Sequence, residues 1–253
     1  MFISEFPSIG SLDKPLCGLV LHFGEGGVGS QPCEAAWVGV PNCEGFETPS
    51  VKVFVSKSCL KTMRTVYSVL GDKVTVEPLL FGEDELDAEA FLTMMAVDSS
   101  ESAPLYVQAI LVSMQLVTQL VFFHPIHLLA LQSILRDLGE NYSYQKFTKR
   151  LEERKQKFNP AQLAGLEQRL ALLTAFMAKK TTGVWHSTPR FAAGQLTIID
   201  LSDPFIDPAS ACGLFEIVTR LFVRANIGTG KVLVVDEAHK VCNYVVEFFY
   251  AWI

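Results

Sequence analysis

The stretch Lys231-Val-Leu-Val-Val-Asp-Glu237 decides the fold class of this chain. Its four consecutive apolar residues predict a strand that is covered on both faces. In open α/β sheets ligands bind at the carboxyl ends of the strands, so Asp236 and Glu237 are expected to face a binding crevice. The simpler alternative is a buried strand whose acids only cap the next helix. We favour the binding interpretation because Ala238 and His239 extend the pattern to Asp-Glu-Ala-His.

Apolar residues that end in paired acids are the pattern of a Walker B strand. The first acid of such a strand holds, usually through water, the Mg²⁺ ion that bridges the phosphates of a nucleotide. We therefore assign Asp236 as the metal ligand. Glu237 is assigned as the general base that orients and polarises the attacking water. Mg²⁺ and ATP are the cofactors that this assignment implies.

The remaining strands are predicted from β-branched runs at Leu19–Phe23, Val51–Val55, Val74–Val76 and Leu196–Asp200. Between the third and fourth runs the apolar residues recur at helical spacing. The order predicts an α/β fold, a P-loop NTPase-like and mostly parallel sheet with an inserted helical subdomain.

The predicted domain boundaries follow from this order. Residues 1–78 are the N-terminal part of the α/β domain, 79–185 the helical insert, and 186–253 the C-terminal part with the Walker B strand. Strands 196–200 and 232–236 are expected to be parallel neighbours, with helix 208–226 as their crossover.

A nucleotide site also needs a glycine-rich turn that leads from a strand into a helix and ends in Lys and Ser or Thr. Gly228-Thr-Gly-Lys231 is rejected, since Val232 stands where Ser or Thr is required and the turn opens a strand. Gly24–Ser30 follows a strand and has the glycine spacing, but Ser30 occupies the lysine position. Gly24, Gly29 and Ser30 are therefore weak candidates for phosphate binding, beside the alternative of an ordinary turn.

Several segments together resemble the HerA–FtsK class of ring-forming P-loop ATPases, which includes the HerA-type helicases. The resemblance is carried by Val-Leu-Val-Val-Asp-Glu-Ala-His at 232–239 and by Leu-Thr-Ile-Ile-Asp-Leu-Ser at 196–202. Val-Lys-Val-Phe-Val-Ser at 51–56 and the Asn159-Pro-Ala-Gln162 start of a helix are similar to further parts of these proteins. The resemblance implies an ATP- and Mg²⁺-dependent DNA translocase, with DNA and a homo-oligomeric ring as partners of complete members.

In the same alignment Val20–Glu25 stands at the family's strand that ends in Asp-x-x-Gly-Glu-Tyr, with His22 or Phe23 near the aspartate's place. The Walker A loop would then precede Met1, and we expect a truncated member that is inactive alone. Two alternatives stay open. One is a non-catalytic regulatory or assembly subunit with an NTPase fold, and the other is a fragment of a DEAH-box helicase.

The amino-acid composition restricts the possible partners and cellular location of the chain. The net charge of −6 argues against a general polyanion binder, and 49% hydrophobic residues indicate a core-rich globular chain. Six cysteines without Cys-x-x-Cys spacing indicate reduced thiols of an intracellular protein, cytoplasmic or nuclear, without a zinc site.

The apolar run Pro104–Phe123 is long enough to span a bilayer. A stripe formed by Gln108, Gln115 and Gln119 predicts a buried helix there and no membrane association.

Overall fold

The computed structural model describes residues 5–6, 10–27, 29–41, 48–87, 90, 133–135, 137–138, 143–154, 160–178 and 189–236. Asp236 is therefore described, whereas Glu237 and His239 lie outside the described residues. The apolar run Pro104–Phe123 lies outside them as well.

Five strands form one parallel sheet. A two-stranded antiparallel hairpin, β1 (Glu5–Phe6) and β2 (Gly10–Ser11), precedes them. The sheet strands are β3 (Cys17–His22), β4 (Ser50–Val55), β5 (Val74–Pro78), β6 (Gln195–Asp200) and β7 (Lys231–Val235). Their order is β5-β4-β6-β3-β7, and every neighbouring pair is parallel. The predicted α/β class with a parallel sheet is confirmed.

The predicted adjacency of the last two strands is wrong. β6 and β7 are parallel within one sheet, but β3 lies between them, so that Val20 pairs with Ile198 on one side and with Val234 on the other. A strand, a helix and a strand in sequence favour a parallel arrangement. They do not determine how many strands the helix passes, since a long crossover can return beyond a neighbouring strand.

Within the described ranges, two helices connect strands of this sheet. α1 (Leu60–Tyr67) connects β4 to β5, and α4 (Pro208–Arg224) connects β6 to β7. The side chain of Asp207 accepts a hydrogen bond from the Ser210 backbone N–H at 3.0 Å, which caps α4. Pro208 follows as the first helical residue, where a missing N–H costs nothing. Short 3₁₀ helices occur at Glu34–Gly39 and Ser68–Leu70.

The core beside β4 and β6 is built from aliphatic strand residues and the buried side of α1. Val53 and Ile198 are fully buried, and Met63 and Tyr67 of α1 are each 1% exposed. Burial of apolar area on this scale is the main stabilising contribution to such a sheet.

The chain forms two compact units. The first comprises Met1–Leu79, Lys180–Ala211 and Val218–Ile253, and the second comprises Leu80–Lys179 with Cys212–Ile217. In the second unit α2 (Tyr144–Arg154) and α3 (Pro160–Ala175) are helical, as their spacing predicts. The predicted domain boundaries themselves stay predictions. Among the described residues no helix is long and apolar enough to cross a bilayer.

Candidate functional site

The candidate site lies at the carboxyl ends of the three neighbouring strands β6, β3 and β7. The connection from β3 runs past β6 to β4, and the connection from the adjacent β6 runs past β3 to β7, so the two run in opposite directions along the sheet. In open α/β sheets ligands bind outside the carboxyl ends of the strands. His22, Asp200 and Asp236 are the residues at or just beyond these three strand ends.

His22, Cys33 and Asp236 form a compact polar group at this edge. The Nδ1 atom of His22 lies 2.7 Å from Oδ2 of Asp236, and Sγ of Cys33 lies 3.9 Å from the same oxygen. One potential ligand atom from each of the three residues lies within 4.8 Å of the other two. The side chains of His22 and Asp236 are 14% and 40% exposed, so the group is open on the Asp236 side.

A second set of polar contacts, formed by Asp200 and Tyr67, holds the backbone at Cys33. Asp200 is fully buried, and its Oδ2 accepts a hydrogen bond of 2.6 Å from the Tyr67 hydroxyl. The same hydroxyl accepts the backbone N–H of Cys33 at 3.0 Å. Burial, together with the charge of Asp200 and its acceptance of the hydroxyl's hydrogen bond, raises the pKa of Tyr67 far above its usual range. Tyr67 therefore stays neutral and holds the start of the 3₁₀ helix against β6.

The glycine-rich turn after β3 packs against the segment that follows β6. The Gly24 N–H donates to Oγ of Ser202 at 3.0 Å, and a Cβ at Gly24 would lie 2.8 Å from both that oxygen and Nε2 of His22. A side chain at position 24 would require His22 and Ser202 to shift. The Ser30 hydroxyl donates to the carbonyls of Glu25 and Gly27, at 3.2 and 2.9 Å. Ser30 is thus bonded within the turn itself.

The rejected glycine motif lies at the opposite end of the sheet. Gly228–Gly230 precedes β7, and the Lys231 ammonium donates to the carbonyls of Phe222, Val223 and Ala225 at 2.7, 2.8 and 2.5 Å. These carbonyls belong to the last turn of α4 and its C-cap. Lys231 therefore binds a helix end and does not face the carboxyl edge.

The Cys33 thiol is not activated as a nucleophile. Burial, with smaller effects of the charges of Asp200, Asp236 and Glu34, raises the pKa of Cys33 to about 12, although the Ala35 backbone N–H opposes the shift. Nucleophilic cysteines have a lowered pKa, so the Cys33–His22–Asp236 geometry does not provide acyl-transfer chemistry at neutral pH.

The structure thus brings Asp236 together with the turn that begins at Gly24, because β3 and β7 are neighbours. It also brings in His22 and Cys33, which sequence reasoning did not assign to the site. No local spacing could have identified them, since residues 22, 33 and 236 come from three separate segments. Two signals were available for His22: it lies one residue before the end of the predicted strand Leu19–Phe23, and it stands near the aspartate's place in the strand of the resembled family.

Comparisons with known proteins give no relative for this chain. No protein-family profile matches it, and neither does any curated protein or any solved structure. The chain is therefore classified only by its fold, an α/β structure with a sheet of five parallel strands.

Proposed function

We propose that this chain is a P-loop NTPase-type α/β protein, related to the HerA-type DNA translocases, that keeps the Walker B acid and does not hydrolyse ATP by itself. The observation that carries the proposal is the position of Asp236. Its carboxylate follows β7 at the carboxyl edge of an all-parallel sheet, next to the glycine-rich turn after β3. Nucleotides bind at this edge in open α/β sheets.

The residues at this edge match one of the two requirements for Mg²⁺ and ATP. Asp236 fits a metal ligand, because its side chain is 40% exposed. The turn does not fit a phosphate cradle, because Ser30 stands at the lysine position and its hydroxyl donates to carbonyls of the turn. A single carboxylate among water ligands binds Mg²⁺ weakly. These residues therefore do not assemble a hydrolytic site.

A non-catalytic regulatory or assembly subunit is the second candidate. The specific observation in its favour is the contact of 2.7 Å between His22 and Asp236, which engages the carboxylate that a Mg²⁺-dependent site would need. Such a subunit would use the fold to contact DNA-translocating partners or copies of itself, without turnover of its own.

Calorimetry with Mg²⁺–ATP on the 253-residue chain tests the proposal. We expect no micromolar binding and no phosphate release, because phosphate affinity in this class rests on backbone N–H groups and a lysine. The test is repeated with Asp236→Asn and Ser30→Ala. Asp72→Asn, in an exposed turn before β5, is the matched control.

Micromolar affinity that Ser30→Ala or Asp236→Asn abolishes, with Asp72→Asn unchanged, would contradict the proposal. It would mean that the turn binds phosphate without a lysine. Phosphate release by the unmodified chain, lost in Asp236→Asn, would exclude the non-catalytic candidate as well.

A further inference from the structure

We propose that His22, Cys33 and Asp236 form a binding site for one zinc-class divalent ion. This inference goes beyond the nucleotide proposal and does not depend on it. It stands on the chemistry of the three side chains and on the distances between their ligand atoms.

The donor set selects the class of metal. The three side chains offer an imidazole nitrogen, a sulfur and a carboxylate oxygen within 4.8 Å of one another. Zn²⁺ and Co²⁺ bind this combination well, whereas Mg²⁺ prefers six oxygen ligands and avoids sulfur. The group therefore suits zinc better than magnesium, although both ions would use the same Asp236.

The distances require only small movements to accept an ion. Tetrahedral coordination with ordinary zinc bond lengths places neighbouring ligand atoms about 3.3 to 3.6 Å apart. The observed separations from Asp236 Oδ2 are 2.7 Å to His22 Nδ1 and 3.9 Å to Cys33 Sγ. The observed separations differ from these values by about 0.3 to 0.9 Å, which small side-chain rotations can supply.

The backbone at each ligand is already held in place. The Asp236 N–H donates to the Leu21 carbonyl at 2.8 Å, and the His22 carbonyl accepts the Leu201 N–H at 3.0 Å. Cys33 is held through its N–H by the Tyr67 hydroxyl. Supports of this kind reduce the ordering that a metal site otherwise requires.

The three side chains differ in exposure, and this leaves one side of the group accessible to an ion. Cys33 is 1% exposed, and the His22 and Asp236 side chains are 14% and 40% exposed. An ion would enter from the Asp236 side and keep a fourth position for water. Three protein ligands with an open fourth position are typical of zinc sites that act on a ligand.

The test is a titration of the chelator-treated full chain with Zn²⁺ and, in parallel, with Co²⁺. We expect one ion per chain, release of the Cys33 thiol proton to solvent as the ion binds, and a thiolate-to-cobalt absorption band. Loss of a residue that supports a metal ligand typically weakens metal binding about 10-fold to 100-fold. Cys33→Ser and His22→Ala remove ligands themselves, so each should weaken zinc binding by at least this factor. Cys59→Ser, which replaces a half-buried cysteine outside the group, should bind zinc like the unmodified chain.

Circular dichroism of each variant, together with Asp236→Asn as a nearly isosteric change, separates a lost ligand from a lost fold. Equal affinity of the Cys33→Ser and Cys59→Ser chains would overturn the proposal, as would a cobalt spectrum without a thiolate band. Displacement of zinc by Mg²⁺ at similar concentration would overturn it too. No nucleotide is present, so this result is independent of the outcome of the ATP experiment.

Discussion

Asp200 and Asp203 are buried acids, and their charges change the pKa of the cysteine at the start of α1. Asp200 is 0% and Asp203 3% exposed, and Asp203 accepts a short hydrogen bond from the Ser58 hydroxyl. Burial, followed by the charges of Asp203 and Asp200, raises the pKa of the Cys59 thiol from 9.0 to about 11. The thiol is therefore neutral in the folded chain under physiological conditions.

This raised pKa predicts a loss of stability in alkali. Because the folded chain keeps the Cys59 proton more tightly, its contribution is fully present below pH 9.0 and is lost as the pH rises through about 11. We expect the unmodified chain to lose more stability than Cys59→Ser across this interval, as measured by urea unfolding. Ser68→Ala, which removes an exposed hydroxyl near the end of α1, should follow the unmodified chain. Parallel pH profiles of the unmodified and Cys59→Ser chains would contradict the assignment.

The C-terminus of α4 is stabilised by a residue of the strand that follows it. The Lys231 ammonium donates to three carbonyls of this helix end and lies 5.5 Å from the centre of the Phe222 ring. A cation at this position neutralises the negative end of the helix dipole and provides donors for carbonyls that have no partner within the helix. The contact couples α4 to β7.

Replacement of Lys231 tests this coupling. We expect Lys231→Met to lower the free energy of unfolding by about 1 to 3 kcal/mol, because it leaves several carbonyls without their charged donor. Lys14→Met is the matched control, since the Lys14 ammonium makes a single exposed hydrogen bond of 3.2 Å to Gly228. Its loss should cost less than about 0.5 kcal/mol. A similar cost for both changes would show that the helix end is solvated instead.

For the sheet as a whole, strand position predicts how much each residue contributes to stability. Ile198 is fully buried on β6, between β4 and β3, whereas Val234 on β7 is 45% exposed. Ile198→Ala should cost about 2 to 5 kcal/mol, and Val234→Ala less than about 1 kcal/mol. Denaturant midpoints of the two variants give the comparison. Equal losses would mean that β7 is covered as fully as the central strands, contrary to the described sheet.

The elements of the sheet follow from the sequence alone. All five predicted strands are present, and the crossover helix was predicted at 208–226 and is observed at Pro208–Arg224. These predictions succeed because apolar runs and helical spacing are local properties, set by a few neighbouring residues. The same locality explains why the glycine turn before β7 could be rejected without a structure.

The order of the strands and the composition of the site depend on contacts between distant parts of the chain. β3 inserts between β6 and β7, and this places His22 beside Asp236, 214 residues away in sequence. Cys33 joins them because its backbone is held by Tyr67, which in turn is held by Asp200 of β6. Contacts of this range depend on how the helices pack the strands into one sheet. A local sequence pattern contains no information about that packing, so the sequence predicted Asp236 as a site residue but not the residues around it.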